Sequence, residues 1–116
     1  MDSKNTRQQK ISRLIQQEMG KIFQLETKNI FGTSMITVTE VRISPDFSVA
    51  KIWVSIFPIG GAKKEDVMNA IQDNIPDLRR RLGLRVGKQL RIIPHLNFFL
   101  DDSLDYIQNI ENLLKK

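Results

Sequence analysis

The sequence predicts an α+β domain in which helices cover one face of a three-stranded sheet. Three observations carry this reading. Apolar residues recur with a helical period near both ends of the chain. Two β-branched runs flank a Ser44-Pro45-Asp46 turn signal, and a third, alternating run follows two short helical segments. At 116 residues, 41% hydrophobic and 27% charged, the chain fits a single domain, 1–116, with one core. The expected order is helix, strand, strand, helix, helix, strand, helix.

Residues 5 to about 26 form an amphipathic helix. Ile11, Leu14, Ile15, Ile22 and Leu25 fall on one stripe with Met19 and Phe23 at its margin, while Lys10, Arg13, Gln17, Lys21 and Gln24 share another face. Ser3, Asn5 or Thr6 supplies the cap. A glycine-containing loop, KNIFGTS, leads to MITVTEVRIS and FSVAKIWVSIF, which pair as an antiparallel hairpin. In the second of these, Ala50, Ile52, Val54 and Ile56 share one face and Lys51, Trp53 and Ser55 the other. Packing of Trp53 under a helix is favoured over exposure for base stacking. The first strand changes phase near Thr39-Glu40, which predicts a bulge.

PIGGA ends the hairpin, and KKEDVMNAIQDN gives a short helix with Val67, Ala70 and Ile71 inward. Pro76 suits the first turn of the next helix, about 76 to 89, because its missing N–H is not needed there. Arg91 to Asp101 reads as the third strand, with Leu96, Phe98 and Leu100 alternating on one face and Pro94 marking strand entry or an edge. SLDYIQNIENLLKK closes the chain as a helix capped by Asp102 or Ser103.

The charge is unevenly placed. Leu78 to Pro94 holds Arg79, Arg80, Arg81, Arg85, Lys88 and Arg91 and no carboxylate, so this stretch carries +6 in a chain of net +5 and the rest sums to −1. Leu78, Leu82, Val86 and Leu90 recur every four residues as a buried stripe, and Arg81, Arg85 and Lys88 are expected on roughly the opposite side. With no acid within the stretch to offset their repulsion, a bound polyanion is the expected partner, through phosphate contacts and displaced counterions. Lys10, Arg13 and Lys21 on the first helix form a weaker candidate for the same role. Gly83 and Gly87 make a side-chain-free strip, which fits either close packing or approach of a nucleic-acid backbone.

Other chemistry is thin. With no cysteine, disulfides and thiolate metal sites are excluded. His95 has no partner at triad or metal spacing and reads as a surface or half-buried strand residue. The carboxylates of Asp101-Asp102 read as loop and cap groups in preference to metal ligands. No phosphate loop or activated nucleophile appears, so no enzyme and no cofactor is expected. No apolar run is long enough to span a membrane, and no signal-peptide core is present; a cytoplasmic protein is expected.

Helix, hairpin, two helices and a strand is the type II KH order, a fold known for binding RNA. ITVTEVRISPDFSVAKIWVSIF resembles the hairpin of the ribosome-binding factor A family, at Ser44, Asp46, Ala50, Lys51 and Val54. LRIIPHLNFFLDDSLDYIQNIENLL is similar to the same family's C-terminal signature, at Arg91, Pro94, Leu96, Phe98, Asp101 and Ser103. The chain departs from the family at Pro76-Asp77-Leu78, where many members have an Ala-x-Gly kink, and at His95, where Glu is common. The resemblance implies a monomeric, non-enzymatic assembly factor for the small ribosomal subunit and its rRNA. Such a factor supports rRNA maturation and growth in the cold, with a functional link to a maturation GTPase. Three competing readings are a generic KH-type module for other RNAs, a small nuclease using Asp101-Asp102, and a membrane or protein-docking domain using the basic helix. The last lacks the wide apolar face of an interfacial helix.

Overall fold

The structure, a computed structural model, describes residues 6–32, 34–61 and 63–101. The elements are α1 (Thr6–Leu25), α2 (Lys28–Phe31), β1 (Met35–Ile43), β2 (Val49–Phe57), α3 (Lys64–Asp73), α4 (Ile75–Val86) and β3 (His95–Leu100). The expected closing helix and the caps at Ser3, Asn5, Asp102 and Ser103 lie outside the described residues.

α1 buries Ile11, Ile15, Met19, Ile22 and Phe23, a 3.6-residue stripe that lies along β1. Met19 and Phe23 are therefore central to the core, and Leu25 is exposed instead. The helix ends at Thr27, whose buried hydroxyl donates to the Phe23 carbonyl at 3.2 Å. The Thr27 carbonyl accepts from the Ile30 and Phe31 amides and starts α2. This one-turn helix replaces the expected loop. It brings Phe31 into the core against Phe23, ring centroids 5.7 Å apart, and ends at Gly32, where φ is +67°.

β1 and β2 pair antiparallel, and their register shifts between Val38 and Glu40. The bulge at Thr39 moves the buried set from even to odd positions, so Val38, Val41 and Ile43 all face the helices. The turn is held by side chains. Ser44 and Ser48 hydroxyls donate to the Asp46 carboxylate at 2.7 and 2.8 Å, and the Ser44 oxygen accepts from the Val49 amide at 3.0 Å. Hydrogen bonds from Ser44 and then Ser48 hold the Asp46 carboxyl below the ordinary carboxylate range. These bonds offset the cost of Phe47, which sits at φ +63° under the Arg7 guanidinium.

β3 pairs parallel to β2, giving sheet order β1-β2-β3. A parallel neighbour demands a crossover, and α3 and α4 supply it. Asn74 alone separates these helices, and Pro76 occupies the first turn of α4. Pro94, fully buried, immediately precedes the edge strand β3. Leu96 and Phe98 join Ala50, Ile52, Val54 and Ile56 on the helix-covered face. Asp101 accepts from the Thr39 hydroxyl at 2.7 Å, so the bulge of one edge strand is tied to the end of the other.

Trp53 lies on the opposite face of the sheet, and the closing helix expected from the sequence is outside the described residues. That face carries Lys51 and Trp53 on β2, Arg42 on β1 and Phe99 on β3, and no described helix packs on it. Trp53 is half-buried because it stacks on Phe99 at 5.1 Å, beneath the Arg42 guanidinium at 5.6 Å.

Candidate nucleic-acid interface

α4 begins with Pro76 and Asp77 in its first turn and buries Leu78, Leu82 and Val86, with Leu90 continuing the stripe just past its end. The six cations of Leu78–Pro94 divide into three groups around this stripe. Arg79 turns inward: its guanidinium donates to the Ile93 and Pro94 carbonyls at 2.6 and 3.0 Å, anchoring the approach to β3. Lys88 and Arg91 are exposed beyond the helix, with no ion pair among the described residues. Arg80, Arg81 and Arg85 are ion-paired.

This pairing corrects the expectation of an unopposed row. Arg81 donates to Asp77 at 2.7 Å and to Glu26 at 3.3 Å, and Arg85 to Glu26 at 2.7 Å and Glu18 at 3.0 Å. Arg80 shares Asp77 at 2.8 Å, and Lys21 shares Glu18 at 3.4 Å. Four cations and three carboxylates thus form one chain along the α1–α4 seam with a net charge of +1. Helical geometry explains the misplacement. At about 100° per residue, Arg85 stands only about 60° from Leu82, beside the buried stripe and not opposite it. The Arg81 and Arg85 side chains are accordingly 23% and 26% exposed, while the outward side shows Arg80 and Leu84, the latter 77% exposed.

The network sets the protonation of its members. Burial would raise the Glu26 carboxyl, but hydrogen bonds from Arg85 and Arg81 outweigh it and hold the group below its ordinary value. Asp77 is lowered by hydrogen bonds from Arg81 and then Arg80. Arg81 is raised by Asp77 and Glu26, and Arg85 by Glu26 and Glu18. Because the carboxyls are depressed in the folded state, the stability they add is present above their unfolded values near 4.5 and 3.8. It is lost as pH falls through the lower folded values. Arg85→Gln, which leaves Glu18 and Glu26 short of a partner, should cost about 1 kcal/mol at neutral pH. It should also flatten the acid end of the stability profile. Thermal melts of both proteins from about pH 6 to pH 3 check this. Parallel curves would show that the network does not contribute.

The first-helix candidates Lys10, Arg13 and Lys21 are all exposed. Their shared outer face is as expected, with Lys21 also reaching the α1–α4 network. A β-carbon on Gly83 would make ordinary contact with the Ile93 side chain at 3.4 Å. One on Gly87, the residue that ends α4, would come only 2.7 Å from the Gly83 carbonyl oxygen, so the backbone of the last turn excludes a side chain there. His95 is exposed at the start of β3. Among the described residues no group of three or more acidic or histidine side chains is placed to hold a metal ion, and Asp102 lies outside them.

Sequence reasoning missed the acids. Asp77 was detectable, standing three and four residues before Arg80 and Arg81 on the same helix. Glu18 stands three residues before Lys21 on α1, but nothing local tied Glu18 or Glu26 to the basic stretch, because Arg85 is 67 and 59 positions away from them.

A three-stranded mixed sheet, covered on one face by α1 and by the crossover pair α3–α4, defines a small α+β protein of the type II KH-like class. The sequence profile described as "Ribosome-binding factor A" matches residues 7–114. The ribosome-binding factor A of Cytophaga hutchinsonii is 43% identical over 112 residues, which are 97% of this chain and 83% of that protein. The crystal structure of ribosome-binding factor A from Thermus thermophilus superposes with a TM-score of 0.63 at 22% identity, covering 80% of this chain and 94% of that one. Thermus thermophilus ribosome binding factor A coordinates fitted into a cryo-EM map of its 30S complex superpose with a TM-score of 0.62 at 23% identity. They cover 78% of this chain and 91% of that one. The chain belongs to the ribosome-binding factor A family.

Proposed function

We propose that this protein is a non-enzymatic assembly factor that binds free small ribosomal subunits or their precursors and assists maturation of 16S rRNA. Membership of the ribosome-binding factor A family over residues 7–114 carries the reading. The Thermus thermophilus relative in its 30S complex supports the choice of subunit. On this reading the fold's shape selects the site, and cations standing clear of the α1–α4 network grip phosphates: Lys88 and Arg91 after α4, and Lys10 and Arg13 on α1. Arg80 and Lys21, exposed but paired, add to the field, while Arg79, Arg81 and Arg85 hold the surface in shape. The protein acts in the cytoplasm as a monomer, is needed most in the cold, and leaves when a maturation GTPase or the completed subunit favours release.

The test is a sucrose gradient of cell extract probed for this protein. It should co-sediment with free small subunits and be absent from translating ribosomes. Protein found only at the top of the gradient, while it still binds RNA in isolation, would favour a KH-type module for other RNAs. A peak confined to polysomes would contradict assembly.

A further inference from the structure

α1 carries an oddity that the fold does not use. Gly20 lies inside a 20-residue helix, where glycine is less stable than alanine, and a β-carbon there would meet nothing within 4 Å. A β-carbon on Gly83 or Gly87 would meet a neighbour, and one on Gly20 would not. Gly20 borders a groove of about 1000 Å³ between α1 and the edge strand β1, whose lining includes the buried Phe23, Phe31 and Val38. Arg13, Lys21 and Lys28 line it, and among the described residues no carboxylate does. A smaller depression shares Arg13 and extends the groove past Ser12 to Arg42, again without a described lining acid. Lys21 has an acidic partner, Glu18, outside the groove lining.

An edge strand beside a groove invites strand addition by a peptide, but α1 interrupts this edge. Gln16 donates to the Val38 and Thr39 carbonyls at 3.5 and 3.4 Å, and Gln8 to that of Ile43 at 3.3 Å. The Ile43 amide donates to the Ser12 hydroxyl oxygen at 3.3 Å. Outside these contacts lie two separate three-residue stretches, Met35 to Thr37 and Glu40 to Arg42, each too short a ladder to hold a peptide strand. The remaining complementarity is cationic, lengthwise and lined with amides. That suits a flexible polyanion thin enough to enter.

We propose that the α1–β1 groove takes a short single-stranded run of RNA, with its phosphates against Arg13, Lys21 and Lys28 and its backbone passing over Gly20. The proposal rests on the small-subunit reading and names which surface would hold an unpaired rRNA segment.

The experiment is fluorescence anisotropy of the full-length protein with a labelled oligouridylate about ten nucleotides long, alongside an RNA duplex of the same length. Gly20→Glu places a carboxylate in the groove and improves helix propensity, so its melt should hold or rise while oligomer affinity falls at least tenfold. Arg13→Gln with Lys28→Gln should lower the salt slope by about 1.4, two contacts at about 0.7 each for a single strand. Lys88→Gln with Arg91→Gln should affect the oligomer less. Should Gly20→Glu melt early, the Arg13/Lys28 variant decides. Unchanged affinity in the groove variants, tighter binding of the duplex, or displacement by polyaspartate at equal charge would each overturn the proposal. If wild type binds no oligomer yet sediments with small subunits, the groove assignment falls and the assembly-factor reading stands. If it does neither, both fall.

Discussion

Leu82→Ala should lower the free energy of unfolding by about 3 kcal/mol. Leu82 is fully buried midway along α4, between Leu78 and Val86, in the core formed with Ile15, Ile52 and Ile71. Truncation removes apolar contact and leaves a cavity in surroundings close-packed from several elements, so little relaxation is available. A domain of this size has about 5–15 kcal/mol to lose, and the melting midpoint should drop by roughly 10 °C. Denaturant titration and thermal melts check it. A loss below about 1 kcal/mol would mean that the helix carrying the basic stretch is not seated as described. The contrast with Arg85→Gln, at about a third of the effect, separates the helix's inner side from its ion-paired flank.

Replacing Lys10, Arg13, Lys88 and Arg91 together by Gln should weaken binding to small subunits about 1000-fold near 0.1 M salt. All four are exposed and none has an ion pair among the described residues, so their removal breaks no network and the melt should stay close to wild type. Each phosphate contact contributes about 0.7 to 0.9 to the dependence of log K on log salt, so four amount to about three units. Charge reversal would do more, but Gln preserves helix propensity on α1 and isolates the charge. Equilibrium binding of the purified protein to isolated subunits reads the effect. An unchanged affinity would mean that the grip lies elsewhere, with the ion-paired arginines as the next candidates.

The fold was largely legible because its signals are local. The phase change from Val38 to Val41 announced the bulge, Pro76 the start of α4, and the alternation at Leu96 and Phe98 the third strand. α2 gave no such signal because four residues carry no period; it exists through the Thr27 carbonyl and the burial of Phe31. The candidate interface was legible as composition and not as arrangement. Counting cations between Leu78 and Pro94 found the basic stretch, but of their acidic partners only Asp77 is on α4, and Glu18 and Glu26 belong to α1 and the residue that follows it. The two sides of β2 could be assigned by parity, which put Trp53 opposite Ala50 and Ile52. Which side the helices cover, and that Phe99 would stack on Trp53, required the sheet order. The groove beside Gly20 had no sequence signal, since it lies between two elements that the chain reaches separately.

The central claim is that exposed cations on this fold bind the small subunit through phosphate. Its most direct test is the affinity of the wild-type protein for isolated small subunits across a salt series. The account predicts a straight fall of log K with log salt, of slope near about −4 or steeper, reduced by about three units in the four-cation variant. It further predicts that Arg85→Gln keeps most of that slope while melting lower. A salt-independent affinity, or a slope that collapses with Arg85→Gln and survives loss of Lys10, Arg13, Lys88 and Arg91, would contradict it.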